Sequence, residues 1–416
     1  MSLFEPTENG LLGTHVTWND VEQAMQNALK TEACFGVYKK VSNLGEMKGF
    51  LSRIALIEPD WVGSNINSTK LPEKFAVKIA SQLSLVEIAR MTRNTSLETE
   101  KIPKMAQMTQ ILHNREIEVY RILDKESNPR ILHPNMYAFK HLKIEKSLKA
   151  FIIFQYIPHV PIAMHQPIPV ADLIPVLGAA AAFSALGEKL PDDELSFVGG
   201  TNFWEEVLKD LKDEKSVERT SNLLRSILGE DHKVLCERML EIYGIFYTKW
   251  VPAEKLSSIS KFIGHKPVLG HCDLWNSNLM YAENEEGGLV FKGLIDFQTV
   301  SWCSPGMDLA RLFACVLSTN DRREKSESLL EEYYKYFIEE LKGIKAPYSL
   351  QQLKDSYSIF LPIMGMVILP AIAGGLQLHK DTDAANIILE KIVGLVEDVV
   401  SSYEENLKKF PTFFEI

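Results

Sequence analysis

The stretch VLGHCDLWNSNLMY (residues 268–281) places polar side chains within a run that otherwise has the composition of a buried strand. A strand buried on both faces is nearly continuously apolar, so packing alone does not explain His271, Asp273 and Asn278. An acidic, glycine-containing turn follows, and then GLVFKGLIDF, a second strand-like segment that contains Asp296. If the two segments form a hairpin, Asp273, Asn278 and Asp296 come together at one end of it.

These three side chains have the chemistry that phosphoryl transfer requires. One carboxylate can accept a hydroxyl proton, and carboxylate and carboxamide oxygens are hard ligands of the kind Mg²⁺ prefers. The reaction also needs a cation for the nucleotide phosphates. Lys78, in the strand-like segment FAVKIA, is the candidate, and Glu116, in HNREIEVY of a predicted helix, is the candidate carboxylate that orients it.

Composition limits the alternatives. The chain has 416 residues, 46% hydrophobic and 24% charged, which is enough to bury a large core. Its formal net charge of -10 disfavours a nucleic-acid partner. The five scattered cysteines suit a reducing, cytoplasmic location, and the acidic N-terminus is not a secretory signal. The apolar stretch 358–375 is interrupted by proline and glycine, so we expect a buried core helix and no membrane span.

The chain changes character near Pro158 and Pro161. Before them, a helix capped by Thr17 and Asp20 precedes strand-like segments at 50–58, 74–80, 137–143 and 149–157, with a helix at 105–124 between the second and third. After them, the pattern is helical except around the predicted hairpin. The predicted helices start near residue 170 and continue at 202–228, 233–252, 305–318, 322–342, 350–378 and 384–408.

The same residues carry a resemblance to a known family. HCDLWNSN resembles the HxDxxxxN catalytic loop of protein kinases, aminoglycoside phosphotransferases and choline kinases, and IDFQ resembles their metal-binding segment. Together with GLIDFQTVSWCSPGMDLARLF and REIEVYRIL, the pattern is similar to the ecdysteroid kinase-like or CHK kinase-like family. The resemblance implies an α+β, two-lobed protein-kinase-like fold. Residues 1–157 would form a nucleotide-binding lobe with a small antiparallel sheet, and residues 158–416 a helical lobe with the catalytic loop and acceptor pocket.

The resemblance also implies roles for individual residues, with ATP and Mg²⁺ as cofactors. Asp273 would be the catalytic base, braced by His271, and Asn278 would act in catalysis and bind the metal. Asp296 would be the principal Mg²⁺ ligand, and Asp308 would support the catalytic loop. The implied nucleotide-binding residues are Lys78, Glu116, Gly49, Ser52, Gln155 and Tyr156.

Two positions depart from the family pattern. Cys272 stands where the family has glycine after the loop histidine, and it would be strained if that position requires a positive φ. The segment GEMKGFLS (45–52), which corresponds to the nucleotide loop, has only Gly45 and Gly49 and is no GxGxxG motif. The sequence therefore predicts phosphate binding by backbone amides less clearly than it predicts the catalytic loop.

The acceptor is expected to be a small molecule with a hydroxyl group. PGMDLARLF follows Asp296 closely and leaves little room for a peptide-docking segment. A lipophilic, steroid-like acceptor would suit a pocket lined by Phe360, Met364, Met366 and Leu369, although plain helix packing explains the same residues.

Two other functions stay open on the sequence. One is a catalytically weak, nucleotide-binding regulator, which Cys272 and the glycine-poor loop would suit. The other is a metal-dependent hydrolase that uses His271, Asp273 and Asp296 and has no need of Lys78. No second histidine cluster with ligand spacing supports the hydrolase.

Overall fold

The computed structural model describes residues 2–45, 51–63, 71–91, 102–198, 214–246, 256, 258–379 and 383–414. The chain divides into two compact units. Unit 1 comprises Met1–Ser127 and His133–Pro158, and unit 2 comprises Asn128–Leu132 and His159–Ile416. The segment Asn128–Leu132 belongs to unit 2 because the Leu132 carbonyl accepts a hydrogen bond from the Leu294 amide at 2.8 Å.

Unit 1 is built on an antiparallel sheet, which has five strands among the described residues. Their order is β2-β3-β5-β7-β6, and β1 pairs separately with β4. The strands are β1 (Cys34–Phe35), β2 (Lys40–Asn43), β3 (Ser52–Glu58), β4 (Trp61–Val62), β5 (Phe75–Ala80), β6 (Met136–Lys140) and β7 (Phe151–Gln155).

Alternation along the strands decides which side chains enter the core of unit 1. Phe75, Val77 and Ile79 of β5 belong to one buried cluster with Val21 and Met25 of the first helix. Because side chains alternate across a strand, Lys78 points to the opposite face of the sheet. The helices are α1 (Trp18–Leu29), α2 (Leu83–Met91) and α3 (Ile102–Glu126). The predicted capping box of α1 is confirmed, with Thr17 and Asp20 bonded reciprocally.

Unit 2 is mostly helical. Its helices are α4 (Val170–Lys189), α5 (Glu214–Leu228), α6 (Lys233–Ile245), α7 (Ile259–Ile263), α8 (Pro305–Val316), α9 (Thr319–Leu341), α10 (Leu350–His379), α11 (Ala384–Lys409) and α12 (Pro411–Phe414). Helix α10 packs against both α8 and α11, and α4 packs against α9. The strands are β8 (Val268–Gly270), β9 (Leu279–Glu283), β10 (Leu289–Leu294) and β11 (Ser301–Cys303).

A glycine permits the contact between α8 and α10. A Cβ added at Gly306 would lie 2.2 Å from the Tyr357 amide nitrogen, so a larger residue would push the helices apart. The Gly306 amide instead donates to the Ser356 hydroxyl at 2.9 Å. This close approach fixes the first turn of α8, which also carries Asp308.

In the described part of the chain, two helices are long and apolar enough to cross a membrane by length and composition. They are Val170–Lys189 and Leu350–Leu376, and 67% and 61% of their most apolar windows are buried inside the protein. Core helices of a soluble fold pass the same test, so this is weak evidence for a span. The predicted pocket residues Phe360, Met364, Met366 and Leu369 are all buried in α10, as helix packing alone would place them.

Candidate functional site

In unit 1, the strand lysine and the helix glutamate singled out from the sequence form a buried ion pair. Lys78 Nζ of β5 donates to Glu116 Oε2 of α3 at 2.6 Å. The two side chains are only 8% and 1% exposed. A buried charge needs a partner, which Glu116 supplies. The pair holds an ammonium group at a defined position on the sheet face opposite the α1 core.

His113 lies one turn before Glu116 on α3. Burial lowers its pKa to about 4, the positive charges of Lys78 and His141 add to this, and a hydrogen bond with the Lys140 carbonyl opposes it. The ring is therefore neutral near pH 7. It adds no second positive charge beside Lys78.

The other predicted nucleotide-binding residues lie either at the ends of strands or outside the residues that the structure describes. Ser52 opens β3 opposite Ala80, and Gln155 ends β7 opposite Phe75. Tyr156 follows directly and is half-buried. Gly49, with most of the glycine-poor loop, lies outside the described residues. Their binding roles stay predictions.

In unit 2, the predicted hairpin is β9 and β10, and it brings the polar residues of the loop together. Leu279 is paired with Leu294, and the Ile295 amide donates to the Asn278 carbonyl at 3.1 Å. Asn278 Nδ2 donates to the Asp273 carbonyl oxygen at 2.8 Å and to Asp273 Oδ2 at 3.0 Å. Asp296 follows Ile295. The sequence-predicted trio is therefore gathered at one end of the hairpin.

Asp308 and His271 hold this loop in place. Asp308 accepts hydrogen bonds from the amides of His271 at 2.8 Å and Cys272 at 2.7 Å. Burial raises the Asp308 pKa, and these amide hydrogen bonds oppose the rise. The His271 ring bonds through Nε2 to the Ile295 carbonyl and through Nδ1 to the Asp273 amide. With both ring nitrogens engaged, His271 is a positioning residue and is not arranged as a metal ligand for a hydrolase.

Cys272 occupies the strained conformation that a glycine would adopt freely. Its φ is 63°, in the left-handed region, and its side chain is fully buried. A non-glycine residue there costs on the order of 1–3 kcal/mol. The departure from the family pattern thus carries a backbone cost beside Asp273, the predicted catalytic base.

We expect Cys272→Gly to change the free energy of unfolding by no more than about 1 kcal/mol, because relief of strain offsets the flexibility glycine adds to the unfolded chain. Cys272→Val should destabilise by about 2 kcal/mol or more, since a β-branched side chain fits poorly at positive φ. Urea denaturation measures both. Equal stability of the two variants would contradict a left-handed Cys272.

Arg311 is a site residue that the sequence analysis missed. Its Nη2 donates to Asp273 Oδ1 at 2.6 Å, and the two side chains are 9% and 15% exposed. The segment GMDLARLF contains a signal for Arg311. Asp308 and Arg311 are three residues apart, and residues with this spacing share a face of a helix. Asp308 bonds the loop backbone, so Arg311 in the next turn of α8 reaches the same loop.

The atoms suited to a cation are the Asp296 carboxylate and the Asn278 carboxamide oxygen. Asp296 adopts a left-handed conformation with φ 67°, and Gln298 Nε2 donates to its Oδ2 at 3.4 Å. Within the described ranges, no group of three His, Cys, Asp or Glu side chains could hold a metal by itself. Mg²⁺ is commonly held by one or two protein oxygens together with substrate phosphates and water, so Asp296 and Asn278 are the residues that would hold it.

Comparison with known proteins adds a family match. The family whose sequence model is described as DUF1679, "Uncharacterized oxidoreductase dhs-27", matches residues 4–407. A Caenorhabditis elegans protein, "Uncharacterized kinase-like protein D1044.1", is 27% identical over 149 residues. That alignment covers 33% of this chain and 38% of the relative, so the chain spans well under half of that protein.

Two solved structures are similar to this chain, and the first of them shows the fold. A choline kinase from Cryptosporidium parvum Iowa II is similar with a TM-score of 0.50 at 11% identity, covering 91% of this chain and 93% of that one. The GDP and kanamycin complex of APH(2")-IIia has a TM-score of 0.45 at 15% identity, covering 90% and 97%.

The family description names an oxidoreductase, but the described sheet is not of the dinucleotide-binding type. All paired strands in the described ranges are antiparallel, whereas that fold has a mostly parallel sheet. The kinase-like fold predicted from HCDLWNSN and IDFQ is confirmed. The chain belongs to the DUF1679 family and has the two-lobed α+β fold of the choline kinase structure.

Proposed function

We propose that this protein is an ATP-dependent O-phosphotransferase that transfers the γ-phosphoryl group to a hydroxyl of a small molecule. The loop of unit 2 supports this most strongly, because Asn278 bonds Asp273 through its side chain and the residue before Asp296 through its backbone. A hydroxyl-facing carboxylate and two cation-binding oxygens are thereby held on one rigid hairpin end. Phosphoryl transfer depends chiefly on such positioning and on charge.

Each side chain then has one task. Asp273 accepts the hydrogen bond of the acceptor hydroxyl and takes its proton as the oxygen bonds to the γ-phosphorus and the bond to ADP breaks. Asp296 and Asn278 would hold Mg²⁺, which would neutralise phosphate charge when bound. Lys78, oriented by Glu116, contacts the α- and β-phosphates, and Ser52, Gln155 and Tyr156 contribute to nucleotide binding.

The acceptor is a small molecule in this proposal. Helix α8 begins at Pro305, soon after Asp296, which leaves little chain for a peptide platform. The steroid-like, ecdysteroid kinase-related acceptor follows from the resemblance alone, because helix packing accounts for the buried side chains of α10. We place the enzyme in the cytoplasm, since all five cysteines are free thiols, as in a reducing compartment.

One observation favours the alternative, a nucleotide-binding regulator with weak catalysis. Arg311 occupies Asp273 Oδ1, and Asn278 bonds Oδ2, so both carboxylate oxygens already have partners. A carboxylate has enough lone pairs to accept a further hydrogen bond, which keeps transfer possible. Mg·ATP binding without turnover on any hydroxyl compound would favour the regulator.

The nucleotide site is tested by thermal unfolding with ATP, with Mg²⁺ and with both. We expect a Mg²⁺-dependent rise in melting temperature, because a ligand at one hundred times its dissociation constant stabilises the native state by about 2.7 kcal/mol. Asp296→Ala should lose most of this rise, and the exposed control Asp192→Ala should keep it. A full rise in Asp296→Ala would remove Asp296 from the site, and no rise in the wild type would overturn the phosphotransferase.

A further inference from the structure

Helix α8 contacts the catalytic loop through two side chains, and the second of them, Arg311, has no task in the proposed mechanism. Asp308 accepts hydrogen bonds from the amides of His271 at 2.8 Å and Cys272 at 2.7 Å, one on each carboxylate oxygen. Arg311 lies one turn further along α8 and donates from Nη2 to Asp273 Oδ1 at 2.6 Å. The helix therefore holds the loop backbone at one point and the predicted base at another.

The helix that carries Arg311 is a firm support. All twelve residues of α8 are buried, and Gly306 lets its first turn pack directly against α10. A charged side chain on a buried helix needs an opposite charge. Asp308 already binds two amides, and Asp273 is the carboxylate that pairs with Arg311. The Arg311 and Asp273 side chains are 9% and 15% exposed, so the pair is shielded from water yet reachable at its edge.

The orientation of Asp273 in turn determines that of Asn278. Asn278 Nδ2 donates to the Asp273 carbonyl oxygen at 2.8 Å and to Asp273 Oδ2 at 3.0 Å. Because both partners are acceptors, the amide nitrogen must face them, and the carboxamide oxygen is then directed away from Asp273. That oxygen is the atom that would bind Mg²⁺. Arg311 on Oδ1 and Asn278 on Oδ2 thus hold the Asp273 carboxylate from both sides.

This double contact leaves room for an acceptor hydroxyl. An ionised carboxylate has about four lone-pair sites, so a donor on each oxygen leaves others unused. Asp273 also keeps some exposed surface. With its rotation fixed, the unused lone pairs keep a constant direction, and a fixed direction is what a near-attack geometry requires.

We propose that Arg311 is a positioning residue, which fixes the Asp273 carboxylate and, through it, the carboxamide of Asn278. One guanidinium would thereby align both the predicted base and a predicted metal ligand. The catalytic part of this proposal rests on the proposed phosphotransferase. Its geometric part, the orientation of Asn278, is measurable without nucleotide or acceptor.

The catalytic part is tested by turnover. Arg311→Ala should lower kcat by about tenfold to a hundredfold, since a misplacement of about 1 Å can cost about a hundredfold. Mg·ATP should still raise the melting temperature, because Asp296 and Lys78 are unchanged. Arg311→Lys keeps the charge without the planar fork and should fall between the two. Guanidinium ion, added below denaturing concentrations, should restore part of the turnover of Arg311→Ala saturably, and should restore none in Asp273→Asn.

The geometric part is tested by NMR on the full chain labelled with ¹⁵N-asparagine, with no nucleotide present. The Nδ2 resonance of Asn278, assigned from Asn278→Ala, should shift in Arg311→Ala and return toward its wild-type position when guanidinium is added. Asn406 is the internal reference, because its buried Nδ2 donates to the Ser358 carbonyl at 2.7 Å and should not respond.

Arg322→Ala is the matched control for loss of a buried arginine. Arg322 is 2% exposed and donates from Nε to Asp398 Oδ2 at 2.6 Å. Its removal should lower the melting temperature, yet leave turnover and the Asn278 resonance unchanged.

An unchanged Asn278 resonance in Arg311→Ala would overturn the proposal, as would turnover equal to or above that of the wild type. The same loss of turnover in Arg322→Ala, without rescue of Arg311→Ala by guanidinium, would assign the effect to general destabilisation. A wild type with neither turnover nor Mg·ATP stabilisation would remove the phosphotransferase. A guanidinium-dependent Asn278 resonance would then still support the positioning by Arg311, so the two failures are distinguishable.

Discussion

Asp273→Asn is expected to reduce phosphoryl transfer by about a hundredfold to ten-thousandfold, the range that a positioned general base contributes. Asparagine keeps the size of the side chain but has no basic carboxylate to take the hydroxyl proton. The loop itself should persist, because Asp308 holds its backbone and His271 braces it. Binding of Mg·ATP should therefore stay near the wild-type level, which separates this residue from Asp296.

The measurement is ADP release in the presence of a hydroxyl compound, with thermal unfolding in Mg·ATP as the binding assay. Asp192→Asn, an exposed acid, is the control for adding an amide and removing a charge. Turnover of Asp273→Asn at the wild-type rate would show that Asp273 is not the base. Loss of turnover together with loss of Mg·ATP stabilisation would indicate instead that the loop has collapsed.

Glu116→Ala should destabilise unit 1 by about 3–5 kcal/mol, because it removes the carboxylate that forms an ion pair with the buried Lys78 ammonium. The pair is 2.6 Å long with side chains 8% and 1% exposed, so water screens it little. A chain of two units need not unfold in one step. Hydrogen exchange of β5 and α3 reports the local loss of stability directly.

The double variant Lys78→Met with Glu116→Leu is the control for this prediction. It replaces both charges by apolar side chains of similar size, which is often nearly neutral for stability. It should recover most of the protection lost in Glu116→Ala, yet it should not bind ATP normally, because the phosphates have lost their cation. Equal destabilisation of the single and double variants would show that packing volume, and not the loss of the ion pair, is responsible.

Local patterns made much of the fold predictable. The capping residues of α1, the alternation in FAVKIA and the long helical runs of unit 2 each depend on neighbours a few positions away. The hairpin needed only two apolar arms and a turn between them, and it gathers Asp273, Asn278 and Asp296 as expected. The catalytic and binding roles of these residues stay predictions, because hydrogen bonds show where the side chains lie and activity measurements show what they do.

Contacts between distant segments were decided by the tertiary structure. Arg311 of α8 reaches Asp273, and only the fold shows that Asn276 of the loop bonds the Ala163 carbonyl. The positive φ of Cys272 is likewise fixed by Asp308, which binds its amide from a helix far along the chain.

The sequence by itself therefore determined the fold class and the residues of the loop, because both follow from short-range periodicity and a compact motif. The tertiary structure alone decided the electrostatic surroundings of that loop. Charge acts through space, and the side chains that set it are brought together only when separate helices pack.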